Sequence, residues 1–158
     1  MLRAAFALTA LLLVVGCGTE GAGDVPRDAS GRVTAGGIVR ADKLQPGDCF
    51  QDQDDRTPDG FPVVPCGRAH ANEAYDRFVV PGGAYPGQAA LTDIATARCR
   101  ADPFTTYVGR PIDGSALDVF FVLPSADTWT NDGDRIIVCA LYADDRSPLV
   151  GSMNDSMR

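Results

Sequence analysis

Five cysteines, one histidine and two glutamates are the residues of this 158-residue chain best equipped for chemistry. The histidine, His70, follows Cys66 by four positions and precedes Glu73 by three. A general base needs an orienting acid and a nucleophile within hydrogen-bond reach. Glu73 and Cys66 have the right types, and Asp134 and Arg135 are further polar candidates if the fold brings them close. The structural alternative has His70 and Glu73 hydrogen-bond the loop after Cys66 to a neighbouring strand, with Cys66 as half of a disulfide. That alternative is the expectation. There is no phosphate-cradling glycine loop, no nucleophile-elbow serine motif and no two-histidine zinc motif. The chain is therefore read as not an enzyme, with no catalytic residue, cofactor or metal.

The cysteines divide by position. Cys17 closes an apolar run and is set apart below, which leaves Cys49, Cys66, Cys99 and Cys139. An even number of thiols in an exported chain reads as two disulfides, and four cysteines allow three connectivities. Cys49–Cys66 and Cys99–Cys139 are favoured, because each closes a local unit: a loop in the first case, a helix onto a strand in the second. Zinc ligands usually come as Cys pairs two to four residues apart, and no such pair is present. The aspartates Asp52, Asp54, Asp55 and Asp59 raise calcium. An EF-hand counted from Asp52 needs Gly at its sixth position and Glu at its twelfth, where this chain has Thr57 and Val63. The segment reads as a solvated loop.

The amino-terminal residues look like an address. Arg3 precedes an apolar run from Ala4 to Val15, and Val14-Val15-Gly16-Cys17 ends it. A charged start and a short apolar stretch before small residues are the marks of an export signal. The run is too short to cross a hydrocarbon core of roughly 30 Å as a helix. The four closing residues resemble the lipobox of bacterial lipoproteins, which implies a diacylglyceryl group on Cys17 after removal of residues 1–16. Two acyl chains on one sulfur meet the two-signal requirement for stable anchoring. The expected location is the extracytoplasmic face of the cell membrane. With 21 acidic against 14 basic residues, and no Lys/Arg cluster, the chain has no footprint for nucleic acid. The acyl chains, not charge, must then hold it on an anionic membrane.

Residues 17–35 are Gly-, Ala-, Thr-, Ser- and Asp-rich without an apolar period, so a lipidated N-terminus and flexible tether are expected there. One domain over 36–152 follows, with a polar tail over 153–158. Short strands are expected at Gly36–Arg40 and Cys49–Phe50. Phe61–Cys66, bounded by prolines, reads as a sheet-edge strand, because proline cannot donate to a ladder. Glu73–Val80, Leu117–Leu123 and Arg135–Tyr142 are further strands. Ala89, Ala90, Leu91, Ile94, Ala95, Ala97 and Cys99 fall on a helical period, predicting a helix over about Gly87–Ala101 and a second helical turn through Phe104–Tyr107. Asn131-Asp132-Gly133 is a turn. The class is α+β: a small antiparallel sheet with one main helix on one face and two disulfides. Trp129 reads as a core residue with an interface anchor as the alternative, and Tyr85, Phe104 and Tyr107 share that ambiguity.

An ordered set of short motifs completes the reading: Gly47-Asp48-Cys49-Phe50, Val64-Pro65-Cys66 with His70 and Glu73, Ala97-Arg98-Cys99, Tyr107-Val108-Gly109, Pro124 with Trp129, Gly133-Asp134-Arg135, Cys139-Ala140-Leu141 and Gly151-Ser152. In this order they resemble the septum-formation domain of actinobacterial envelope proteins, over about Leu44 to Ser152. The family pattern usually has a proline before the histidine, where this chain has Ala69. The resemblance implies an extracytoplasmic domain, often on a lipoprotein or behind a membrane helix, with a link to division-septum formation, and it does not imply an enzyme. The expected function is a non-enzymatic interaction domain with an envelope or divisome protein partner, linked to the septum or to envelope maintenance. His70, Glu73, Trp129, Asp134 and Arg135 are the polar or interaction candidates. The alternative is a protein that binds a small envelope ligand or a cell-wall fragment.

Overall fold

A computed structural model describes residues 25–54 and 60–158. Cys17, the signal, residues 18–24 of the expected tether, and Asp55 and Asp59 lie outside the described residues. Six antiparallel strands form one sheet: β1 Gly37–Val39, β2 Cys49–Phe50, β3 Phe61–Val64, β4 Asn72–Val79, β5 Leu117–Val122 and β6 Ile136–Ala143, in the order β1-β3-β2-β4-β6-β5. Between β4 and β5 come α1, Gln88–Cys99, and the shorter α2, Asp102–Val108. The expected α+β architecture is present, with α2 as a second helix beside the main one.

The sheet is buried on both faces where β6 passes through it, because alternate residues of a strand point to opposite sides. Ile137, Cys139, Leu141 and Ala143 meet the helices, together with Leu91, Ala95 and Cys99 of α1 and Phe104 and Val108 of α2. Val138 and Ala140 point the other way, into a second cluster with Val39, Phe50, Val63 and Ala74. Phe50 of β2 and Phe120 of β5 have ring centroids 6.2 Å apart, although β4 and β6 lie between them. Three strand spacings on a flat sheet would separate them by about 14 Å. The sheet therefore curls around this second cluster, and the helices cover its outer side.

Both favoured disulfides are formed, Cys49–Cys66 and Cys99–Cys139. The first joins β2 to the end of β3. The second joins the last residue of α1 to the middle of β6, and both of its cysteines are fully buried.

Three expectations need correction. β3 is not an edge strand, since it lies between β1 and β2. Pro62 is tolerated because its carbonyl accepts from Gln51 N–H, which puts its donor-less nitrogen on that same side, where β2 has already ended at Phe50. Residues 25–35 are not a free tether. Arg27 and Val33 form a bridge, Val33 is buried, and Arg27 makes a two-pronged ion pair with Asp48 at 2.5 and 2.8 Å. Asp48 is itself buried and also accepts from Gln45 N–H. The segment folds as a strap against the start of β2. The 153–158 segment is no loose tail either. Met153 is buried, and the N–H groups of Asp155 and Met157 donate to the carbonyls of Tyr107 and Val108 at the end of α2.

Candidate functional site

His70 and Glu73 come together in the structure, at the end of β4 where it meets β2. Glu73 sits opposite Cys49 on one side and opposite Leu141 on the other. Its side chain therefore shares the helix-facing side of the sheet with Leu141, and it is fully buried. An unpaired buried carboxylate would be costly, and three donors meet this one. Tyr107 Oη of α2 donates to Oε1 at 2.6 Å, Ser152 Oγ donates to the same oxygen at 2.5 Å, and Met153 N–H donates to Oε2 at 2.6 Å. One side chain thus ties together the central sheet, the second helix and the C-terminal segment. His70, just before β4, exchanges backbone hydrogen bonds with Leu149, and Gly151 N–H donates to the Cys66 carbonyl. The loop after Cys66 is held by the C-terminal segment as well as by the sheet.

Burial pushes the Tyr107 phenol above its usual range, and the adjacent Glu73 charge adds to the shift. Tyr75 is raised as well, chiefly by burial. Its hydroxyl donates to the Cys99 carbonyl at 2.5 Å from a bulge between Ala74 and Asp76. A phenol whose folded pKa lies above its unfolded value of about 10 contributes stability that is fully present below that pH. The contribution is lost as pH rises towards the folded value. Unfolding midpoints should accordingly fall above about pH 10, and Tyr107→Phe should make the fall less steep. Denaturant titrations across alkaline pH check this.

Asp134 and Arg135 do not join His70. The β4–β6 register pairs Asn72 with Tyr142 and Val79 with Ile136, so the two sets occupy opposite ends of the ladder, about 20 Å apart by strand rise. At that far end the Arg135 guanidinium lies 3.8 Å from the Trp129 ring centroid and donates to the carbonyls of Trp129 and Asp134. Asp134 accepts from Ile136 N–H, and Trp129 Nε1 donates to the Gly83 carbonyl. Trp129 is buried against Tyr85, which resolves its ambiguity in favour of core. Residues 131 and 132 finish a π-type turn over Thr128–Asp132, capped by Gly133 in the left-handed region at φ 68°.

Sequence reasoning missed Ser152 and Met153 as partners of Glu73, and Arg27 as the partner of Asp48. It also left open what Tyr107 contacts. A groove of about 510 Å³ runs over this region, lined by Asp28, Arg32, Gly47, Cys66, Tyr107 and Ser152 among others.

The family model described as Septum formation matches residues 46–156. The chain belongs to the septum formation family. The match begins beside the Gly47-Asp48 turn and ends inside the C-terminal segment, so it encloses both disulfides and all three donors to Glu73. Membership in the septum formation family points to a division-related role. No curated protein matches the chain, and no solved structure matches it.

Proposed function

We propose that this septum formation domain is a non-enzymatic interaction module, held on the extracytoplasmic face of the cell membrane by a diacylglyceryl group on Cys17. There it meets a protein partner of the division envelope. The observation that carries the non-catalytic reading is the use of the polar candidates. Glu73 accepts three structural hydrogen bonds, while Arg135 and Asp134 brace Trp129 and its turn. Two disulfides suit an oxidising compartment outside the cytoplasm. Among the described residues no helix is long and apolar enough to cross a membrane, and the lipobox-like Val14-Val15-Gly16-Cys17 provides another means of attachment.

The strap sharpens what anchoring would do. Residues 18–26, nine in all, separate Cys17 from Arg27, where the strap bridges to Val33, and a stretch of that length reaches at most about 32 Å even fully extended. The domain would be confined to a thin layer above the lipid, which raises its effective concentration towards membrane-bound partners. A small ligand is the weaker alternative. The groove beside Tyr107 and Ser152 mixes Asp28 and Arg32 with Val33, Pro46 and Pro65, whereas the clefts that enclose small molecules are mostly apolar. Cys17→Ala should move the protein from the membrane fraction to the soluble fraction of fractionated cells. A variant that stays with the membrane would overturn the anchor.

A further inference from the structure

The sulfur of Cys49, a ring nitrogen of His70 and a carboxylate oxygen of Glu73 all lie within 4.8 Å of one another in a buried cluster. His70 is 1% exposed, and its Nε2 has no hydrogen-bond partner among the described residues. Its Nδ1 lies 2.8 Å from the Arg68 carbonyl oxygen. A carbonyl only accepts, so Nδ1–H donates to it, and Nε2 is the ring nitrogen left to offer a lone pair to a cation. An imidazole braced through Nδ1–H by a backbone carbonyl is arranged as metal-binding histidines are, and a ligating carboxylate is likewise held by hydrogen bonds. Glu73 has those bonds from Tyr107, Ser152 and Met153. What keeps the cluster from ligating is the Cys49–Cys66 bond, because the thiolate is the form of cysteine that binds metals.

We infer that reduction of the Cys49–Cys66 disulfide creates a site for a thiophilic divalent cation, zinc being the representative, with Cys49, Cys66, His70 and Glu73 as ligands. Zinc accepts this donor set in tetrahedral geometry. At bond lengths of about 2.0–2.3 Å, tetrahedral ligands lie about 3.3–3.8 Å apart. For Cys49, His70 and Glu73, at most 4.8 Å apart, that is a contraction of no more than about 1.5 Å. Cys66, freed from its bond to Cys49, has to swing its sulfur in as the fourth ligand. The two cysteines are 17 positions apart in the chain, so the short spacing that flags zinc sites in a sequence is absent. The inference is independent of the anchor and of any partner.

The reductant is a dithiol. One of its thiolates attacks Cys66 Sγ, which lines the groove and is only partly buried. The S–S bond breaks, and Cys49 leaves as a thiolate. The second thiol of the reductant resolves the mixed disulfide, so the reductant departs oxidised by two electrons and the protein holds two reduced cysteines. The cation then takes both thiolates, and the two thiol protons pass to solvent. Cys99 and Cys139 are fully buried and should stay bonded under the same treatment.

The full chain, treated anaerobically with limiting dithiol, should release two thiols that peptide mapping assigns to Cys49 and Cys66. Cobalt(II), a spectroscopic substitute for zinc, should then bind one per chain. Thiolate-to-cobalt charge transfer and the intense visible bands of a tetrahedral centre should appear, zinc should displace it, and the oxidised chain should take none. His70→Ala should weaken binding at least about tenfold, since even outer partners of ligands are worth 10–100-fold. If that variant does not fold, Cys66→Ser carries the test, and its charge-transfer intensity should fall by about half. Circular dichroism alongside should show a reduced chain that is folded with zinc present. The inference is overturned if the reduced, folded chain binds no cobalt or binds it without thiolate bands. It is equally overturned if Cys99–Cys139 opens instead, if the variant tested binds as wild type does, or if the reduced chain stays unfolded in excess zinc.

Discussion

Glu73→Ala is expected to lower the free energy of unfolding by about 3–5 kcal/mol, because hydrogen bonds to a charged group contribute about 1.5–3 kcal/mol each and their losses overlap. The substitution removes one carboxylate and strands three donors: the Tyr107 hydroxyl, the Ser152 hydroxyl and the Met153 N–H. A small domain has only about 5–15 kcal/mol in total, so the variant should be marginal. Tyr107→Phe removes one of the three bonds and should cost about 1–2 kcal/mol. Denaturant midpoints at unchanged slope measure both. Hydrogen exchange should also show amide protection lost first over residues 149–157, which the clamp holds against α2 and the loop after Cys66. A loss under about 1 kcal/mol for Glu73→Ala, with the C-terminal segment still protected, would mean that Glu73 is not the tie the geometry describes.

Removing the core disulfide should be comparably severe. The double substitution Cys99→Ala with Cys139→Ala opens a bridge spanning 40 positions, for which the chain-entropy model gives about 4 kcal/mol. The Cys49–Cys66 bridge spans 17, and the same model gives about 3 kcal/mol. Packing widens the difference. Both sulfurs of the longer bridge are fully buried between α1 and β6, whereas Cys66 borders the groove. Calorimetric midpoints of the two double variants should rank in that order, and the reverse order would show that the longer bridge closes a loop already compact in the unfolded chain.

Local pattern made much of this fold readable. The helical spacing of Leu91, Ala95 and Cys99 marked the buried side of α1, and an apolar run with β-branched residues marked β6. The disulfide pairing was readable because each bridge closes a unit that the pattern had already delimited. What failed was long-range. Glu73 finds Ser152 and Met153 at separations of 79 and 80 positions, and periodicity reports neighbours on one element, not partners that far away. The strap carried no signal because a bridge, one buried valine and one ion pair are enough to dock it, and none of these makes an apolar period. Pro62 pointed to an edge because proline lacks a donor. That inference overlooked a two-residue neighbour, β2, too short to need the donor. Asp134 and Arg135 looked like possible companions of His70 until the antiparallel register placed them at the other end of the ladder.

A lipid-held domain of the septum formation family is expected to act where the septum forms. Fluorescence imaging of the tagged full chain in dividing cells, beside Cys17→Ala, tests it most directly. Wild-type protein should form a band at the division site that the variant lacks. Uniform peripheral signal throughout division, the same for both chains, would contradict it.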